Sequence, residues 1–191
     1  MIAQTDKNYA NPHIAAGMAG IFVAIGANLP DAAHATPLQT AQAAITHLRA
    51  LFPGAPFALS SFYSSAPVPA SNQPRYINAM ARITATADPA NLLAALHHIE
   101  SLFGRTRSTP NAARTLDLDL IDMNGQVLQT QTLTLPHPRA HLRLFVLLPL
   151  RDIAPNWRHP ITATPINALI NALPPADVHA LDGGALGGAG V

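Results

Sequence analysis

The chain contains no cysteine, which excludes disulfides, thiolate metal sites and a cysteine nucleophile. That absence fits a reducing compartment, and the cytoplasm is the expected location. Charged residues make up only 11% of the sequence and the net charge is +1. Nothing in that balance argues for broad electrostatic attraction to nucleic acid or to an anionic membrane, and neither is expected as a partner. Aromatic residues are 5%, too sparse for the paired exposed rings of an RNA-binding sheet. No Gly-x-Gly-x-x-Gly and no Gly-x-x-x-x-Gly-Lys-Ser/Thr occurs, so a Rossmann or P-loop nucleotide site is not supported. A long apolar run is missing too. Residues 14–29 are uncharged but are broken by Gly17, Gly20, Gly26 and Asn28, and they are short for a membrane span. The first residues lack a basic segment followed by a clean apolar stretch, so they do not read as a secretory signal.

What is present is a mostly apolar chain of 191 residues, 49% hydrophobic, long enough for one domain with a real core. The expected layout is a flexible extension over 1–19, a single domain over 20–173, and a Gly/Ala-rich flexible tail over 174–191. Ile21-Phe22-Val23-Ala24-Ile25, ending in Gly26, reads as a central strand. Thr36-Pro37 is an N-cap followed by proline at the first helical position, and the helix should run to about Leu51. Phe57 to Tyr63 is the next strand, and residues 64–74, with three prolines, form a loop. Tyr76 to Thr86 alternates as a half-buried strand. Asp88-Pro89 starts a second capped helix, whose apolar stripe ends at Gly104. Asn124-Gly125 signals a hairpin, so one or two strands are expected between Gln126 and Leu135. Phe145 to Leu150 and Pro165 to Leu173 read as helices. Two helices among hairpin-like strand pairs give an antiparallel-rich α+β sheet with helices packed on it.

The most informative run is Arg114-Thr115-Leu116-Asp117-Leu118-Asp119-Leu120-Ile121. Residues two apart on a strand share a face. The leucines can therefore enter a core while Asp117 and Asp119 stand together on the other face. Two carboxylates that close repel each other unless a cation lies between them. Hard oxygen ligands suit Mg²⁺, which commonly takes one or two carboxylates together with substrate phosphates. Arg105, Arg107 and Arg114 lie beside them in sequence. Carboxylates for metal beside arginines for phosphate point to phosphoryl transfer.

With these residues in place, the sequence resembles the 6-hydroxymethyl-7,8-dihydropterin pyrophosphokinase family from about Phe22 to Pro155. The resemblance is carried by ordered blocks. They are Ala24-Ile25-Gly26-Ala27-Asn28-Leu29, Ser60-Ser61-Phe62-Tyr63 and Gln73-Pro74-Arg75-Tyr76-Ile77-Asn78-Ala79. Gly104-Arg105-Thr106-Arg107, Arg114-Thr115-Leu116-Asp117-Leu118-Asp119 and Leu135-Pro136-His137-Pro138-Arg139 follow, and Arg143-Leu144-Phe145-Val146-Leu147 closes the series. The resemblance implies a ferredoxin-like α+β fold and transfer of pyrophosphate from ATP to the hydroxymethyl of the dihydropterin, with release of AMP, in folate biosynthesis. ATP would be the co-substrate and two Mg²⁺ ions the cofactor, held by Asp117 and Asp119. Arg105 and Arg114 would carry the catalytic phosphate contacts. Glu100, Arg107, His137 and Arg143 would serve the ATP side. Ser65, Ala66, Val68, Tyr76, Asn78 and Phe145 would form the pterin site. A monomer acting on two small molecules is expected. Where many members carry Trp-Gly-Pro-Arg, this chain has Asn111-Ala112-Ala113-Arg114. The alternative is a non-catalytic relative that binds a pterin or nucleotide as a sensor, which loss of Asp117, Asp119 or Arg114 would favour. All three are present.

Overall fold

The computed structural model describes residues 19–105 and 113–181. Its elements follow the order β1 (Ile21–Ala27), α1 (Pro37–Ala50), β2 (Phe57–Leu59), β3 (Tyr63–Ser65), β4 (Tyr76–Ile83), α2 (Pro89–Leu102) and β5 (Asp117–Met123). Two short strands follow, β6 (Leu128–Gln129) and β7 (Thr134–Leu135), then a 3-10 turn at Ala140–Leu142, α3 (Leu144–Ile153), α4 (Ile166–Ala172) and β8 (Val178–Ala180).

The main sheet has the strand order β5-β1-β4-β3-β8, with β2 also paired to β4, and every pairing is antiparallel. β2 and β3 lie in succession along β4, opposite Ala81–Ile83 and Tyr76–Asn78 respectively. They are the two halves of one interrupted strand. Counted so, the sheet is the ferredoxin-like βαββαβ arrangement, extended at its edge by β8.

Local chemistry accounts for the helices. Thr36 accepts from Gln39 N–H, and the Gln39 side chain accepts from Thr36 N–H, each at 3.2 Å, with Pro37 entering the first turn. Asp88 caps α2 by accepting from Asn91 N–H at 2.9 Å. Asn124 and Gly125 both take positive φ, 53° and 64°, in a tight turn closed by the Gln126 N–H donating to the Met123 carbonyl at 3.0 Å.

The core has two parts because the sheet is covered on both faces. Ile21, Val23 and Ile25 of β1, Ala79, Ala81 and Ile83 of β4, and Leu118 and Leu120 of β5 pack under α1 and α2. Phe22, Met80 and Ile121 face the other way, against Val146, Leu147, Leu150 and Trp157 of the α3 region. The two covers are unequal. α3 is short, and beyond its first turn the sheet face lies open as a cleft.

Three expectations are corrected. The strand read over Phe57 to Tyr63 is broken at Ser60–Phe62. There the Ser60 hydroxyl accepts from Met80 N–H at 2.9 Å while Ser60 N–H donates to Met80 C=O at 2.9 Å, so a side chain completes the ladder. The strands expected between Gln126 and Leu135 are present as β6 and β7, which form a two-stranded sheet of their own. The tail expected to be flexible from residue 174 contains β8, because its backbone pairs with the edge strand β3. Residue 19, expected within the loose extension, is tied down: the Ala19 carbonyl accepts from Arg82 at 2.8 Å. Residues 1–18 and 182–191 lie outside the described residues. Among the described residues no helix is long and apolar enough to cross a membrane.

Candidate active site

β1, at the centre of the βαββαβ unit, presents Ala24 and Gly26 to the α3 side of the sheet. Residues this small leave a trough between β5 and β4, and it opens into a cleft of about 610 Å³. In register across it, Gly26 lies between Asp117 and Asn78, and Ala24 between Asp119 and Met80. The acidic pair on β5 and the amide on β4 are thus held on opposite sides of a nearly side-chain-free strip.

Asp117 and Asp119 both open into the cleft, as the alternation of β5 requires. Arg105 Nη1 is 2.6 Å from Asp117 Oδ1 and Arg114 Nη1 is 2.9 Å from Asp117 Oδ2, so two guanidinium groups hold one carboxylate. Burial works against the Arg114 charge, but Asp117 and the other nearby anionic groups outweigh it and the guanidinium is held above its ordinary range. The enclosed position of Asp119, reinforced by the neighbouring Asp117 carboxylate, pushes its carboxyl up, against the pull of His137, Arg143 and Arg105. His137 Nε2 stands 3.9 Å from Asp119 Oδ2. Burial lowers His137, with Arg143 and Arg139 adding to the effect and Asp119 opposing it. Burial also lowers Arg143, again with Arg139 contributing. The cleft is therefore a place where positive charge is crowded around two carboxylates, the condition under which a polyanion binds well.

Glu100 does not face the first cleft. It is buried on α2, where Oε1 accepts from Leu118 N–H at 2.8 Å and pairs with Arg105. Its visible work is to hold Arg105 and β5 together. It also borders a second hollow of about 480 Å³, lined by His97, Thr132, His137 and Pro138 among others. Arg105 and Asp119 border both spaces, so the two meet at the acidic pair.

On the β4 side, Ser65, Ala66, Val68, Tyr76, Asn78 and Phe145 all line the first cleft. Asn78 Nδ2 donates to Ser65 Oγ at 3.0 Å, both residues being buried. The Arg143 guanidinium carbon stands 5.5 Å from the Phe145 ring centroid, joining the cationic and aromatic walls. Val68 is 64% exposed and forms the rim.

The structure thus brings together the acidic pair, Arg105, Arg114, Arg143, His137 and all six residues of the expected pterin site. Arg107 lies outside the described residues. Two contributors carried no assigned role in the sequence reading. Asn28 is buried and pins Arg114: its Oδ1 accepts from Arg114 N–H at 2.8 Å and its N–H donates to Arg114 C=O at 3.1 Å. Its Nδ2 reaches Gln73 and the Pro74 carbonyl at 3.2 and 3.3 Å, tying Arg114 to the loop before β4. Its place in the block after β1 was the available signal. Arg139, beside His137, lines the cleft as a further cation.

Comparison with known proteins identifies the family. A family model described as 7,8-dihydro-6-hydroxymethylpterin-pyrophosphokinase matches residues 22–155. The 2-amino-4-hydroxy-6-hydroxymethyldihydropteridine pyrophosphokinase of Haemophilus influenzae is 38% identical over 133 residues, 70% of this chain and 80% of that protein. The Pseudomonas aeruginosa protein of the same name is 37% identical over 140 residues, 73% of this chain and 83% of that one. Among solved structures, a triple mutant of Plasmodium falciparum HPPK-DHPS with SDX-DHP covers 80% of this chain at 13% identity with a TM-score of 0.60. This chain spans 44% of that longer one, and at such identity the likeness is one of fold. The extent of the family match and the identity to its bacterial members establish that the chain belongs to the 7,8-dihydro-6-hydroxymethylpterin-pyrophosphokinase family.

Proposed function

We propose that this protein transfers pyrophosphate from ATP to the hydroxymethyl group of 6-hydroxymethyl-7,8-dihydropterin, releasing AMP, as a step of folate biosynthesis. The observation that carries the reading is the acidic pair at the junction of two spaces, with arginines on one side and a small aromatic and amide wall on the other.

In this reading ATP occupies the side of His137, Arg139 and Arg143, with its phosphates reaching Arg105 and Arg114. Planar guanidinium forks suit phosphate oxygens and offset the charge that develops during transfer. When Arg105 and Arg114 turn to phosphate, they release the Asp117 oxygens they now hold. The donor set then fits Mg²⁺: two carboxylates on one strand face, opening where phosphates would lie. Asp117 and Asp119 would hold two such ions, whose chemistry there would be to neutralise phosphate charge and make the hydroxyl a better nucleophile. Glu100 acts from behind by fixing Arg105. The pterin ring lies between Tyr76 and Phe145, with Asn78 and the Ser65–Val68 segment meeting its polar edge. Arg107 completes the phosphate side. The chain works as a cytoplasmic monomer on these two small molecules, with no nucleic-acid or membrane partner; the absence of cysteine fits a reducing compartment, and the net charge of +1 offers no broad attraction to a polyanionic partner.

The test is AMP formation from ATP in the presence of Mg²⁺, with and without the dihydropterin, in wild type and in Asp117→Ala. The expected result is AMP that requires both the pterin and Asp117. A folded wild type that binds pterin yet forms no AMP would replace the enzyme reading with the sensor reading.

A further inference from the structure

The family match ends at residue 155, but the chain beyond it returns to the edge of the cleft. β8 covers the outer edge of β3, pairing Tyr63 with Ala180, Ser64 with His179 and Ser65 with Val178. The ladder continues past the strand ends. Leu181 N–H donates to Phe62 C=O at 2.8 Å, and Ala66 N–H donates to Asp177 C=O at 3.1 Å. Ser65 and Ala66 are cleft residues. In a trans peptide C=O and N–H point in opposite directions. The rung that takes Ala66 N–H toward β8 therefore turns the Ser65 carbonyl to the β4 side of the strand. Ser65 Oγ also accepts from Asn78 Nδ2, and so sets how that amide presents its oxygen.

Asp177 adds a second hold. Its carboxylate pairs with both terminal nitrogens of Arg75, one of them at 3.0 Å, while Arg75 Nε donates to Ser64 Oγ at 2.7 Å. Arg75 immediately precedes Tyr76. The segment around Asp177 thus reaches both sides of the pterin wall, β3 with its loop and the start of β4, without lining the cleft. An exposed ion pair by itself adds little to folding stability. One locked to a backbone ladder can still fix where neighbouring groups stand, and misplacement by an ångström is enough to weaken binding.

We propose that β8 and Asp177 form a positioning strap that sets the affinity of the cleft for its pterin without touching it. The inference rests on the pyrophosphokinase reading of that cleft. The test measures initial rates of AMP formation with each substrate varied in turn. The variants are a chain ended after Pro175, Asp177→Arg, Arg75→Asp, the Arg75→Asp/Asp177→Arg double exchange, and Asp177→Glu. The shortened chain is expected to raise the pterin KM about tenfold and each single reversal about threefold, with kcat and the ATP KM within about twofold of wild type. The double exchange and Asp177→Glu should return the pterin KM toward wild type. An unchanged pterin KM in the shortened chain overturns the strap, as does an equal rise in both KM values with a fall in kcat. If wild type forms no pterin-dependent AMP, the functional reading fails separately. Calorimetric titration with 6-hydroxymethylpterin and ATP then decides: weaker pterin binding by the shortened chain upholds the strap, and equal binding, or none by wild type, overturns it.

Discussion

Strand β5 carries three aspartates, and its two halves use them in opposite ways. Asp117 and Asp119 open into the cleft, close to each other and to several cations. Asp122 is buried under the α3 region, where one oxygen accepts from the Trp157 indole N–H and the other from Gly125 N–H, both at 2.8 Å. Burial pushes its carboxyl up to about 6, even though both donors favour the charged form. The halves are separated by a bulge. Leu120 pairs with Val23 and Asp122 with Phe22, so Ile121 is an extra residue. Unbroken alternation would send Asp122 under α1 and α2, among the leucines and away from any indole. The bulge turns it to the α3 face and Met123 to the other. The same residue type becomes a site group or a structural one according to what the packing supplies around it.

The comparison breaks most sharply at the acidic pair. On the proposed reading, Asp119→Ala or Asp117→Ala should lower pyrophosphate transfer by about a thousandfold or more while leaving the fold intact, since both groups line the cleft and not the core. Circular dichroism beside an AMP assay checks both halves of that statement. Loss of thermal stability on the scale of a core mutation would mean that the pair is structural after all. Asp119→Asn should raise the melting temperature, because a carboxyl whose charged form is disfavoured in the fold is relieved by neutralisation.

Arg114→Ala should reduce kcat by about a hundredfold to a thousandfold, the scale of losing one donor to a developing charge. Asp122→Ala should reverse the pattern. It leaves the Trp157 and Gly125 N–H groups without their acceptor and should cost about 2–4 kcal/mol in urea unfolding, with kcat changed by less than about threefold. A variant of ordinary stability and low activity would show that the bulge transmits to the site.

The smallest effect is in pH dependence. With the folded-state value raised from 3.8 to about 6, the folded chain binds more protons than the unfolded one between those limits. The contribution of Asp122 to stability is therefore complete below about pH 4 and is lost as pH rises through 6. The wild-type unfolding free energy should fall relative to Asp122→Asn by up to about 3 kcal/mol across that window. Parallel curves would mean that the carboxylate is charged at no cost.

Much of the frame was legible because its signals are local. Thr36-Pro37, Asp88-Pro89 and Asn124-Gly125 place element ends through contacts spanning three or four residues, and the structure has them there. The acidic pair was legible for the same reason, as strand alternation needs only neighbours. The break at Ser60, the bulge at Ile121 and the pairing of β8 were not. Each depends on a partner far along the chain: Met80 for Ser60, β1 for the bulge, and Arg75, 102 residues away in sequence, for Asp177.

By itself, then, the order of residues determined that two carboxylates share a strand face, that arginines precede them closely in sequence, and which helices are capped. Tertiary structure alone decided that Ala24 and Gly26 open the trough between β5 and β4, that Glu100 turns inward to hold Arg105, and that Asn28 pins Arg114. It also decided that the third aspartate of β5 leaves solvent for an indole. The physical reason is reach: caps and alternation act within a turn or a pleat, whereas burial, charge neighbours and edge pairing exist only once distant segments have come together.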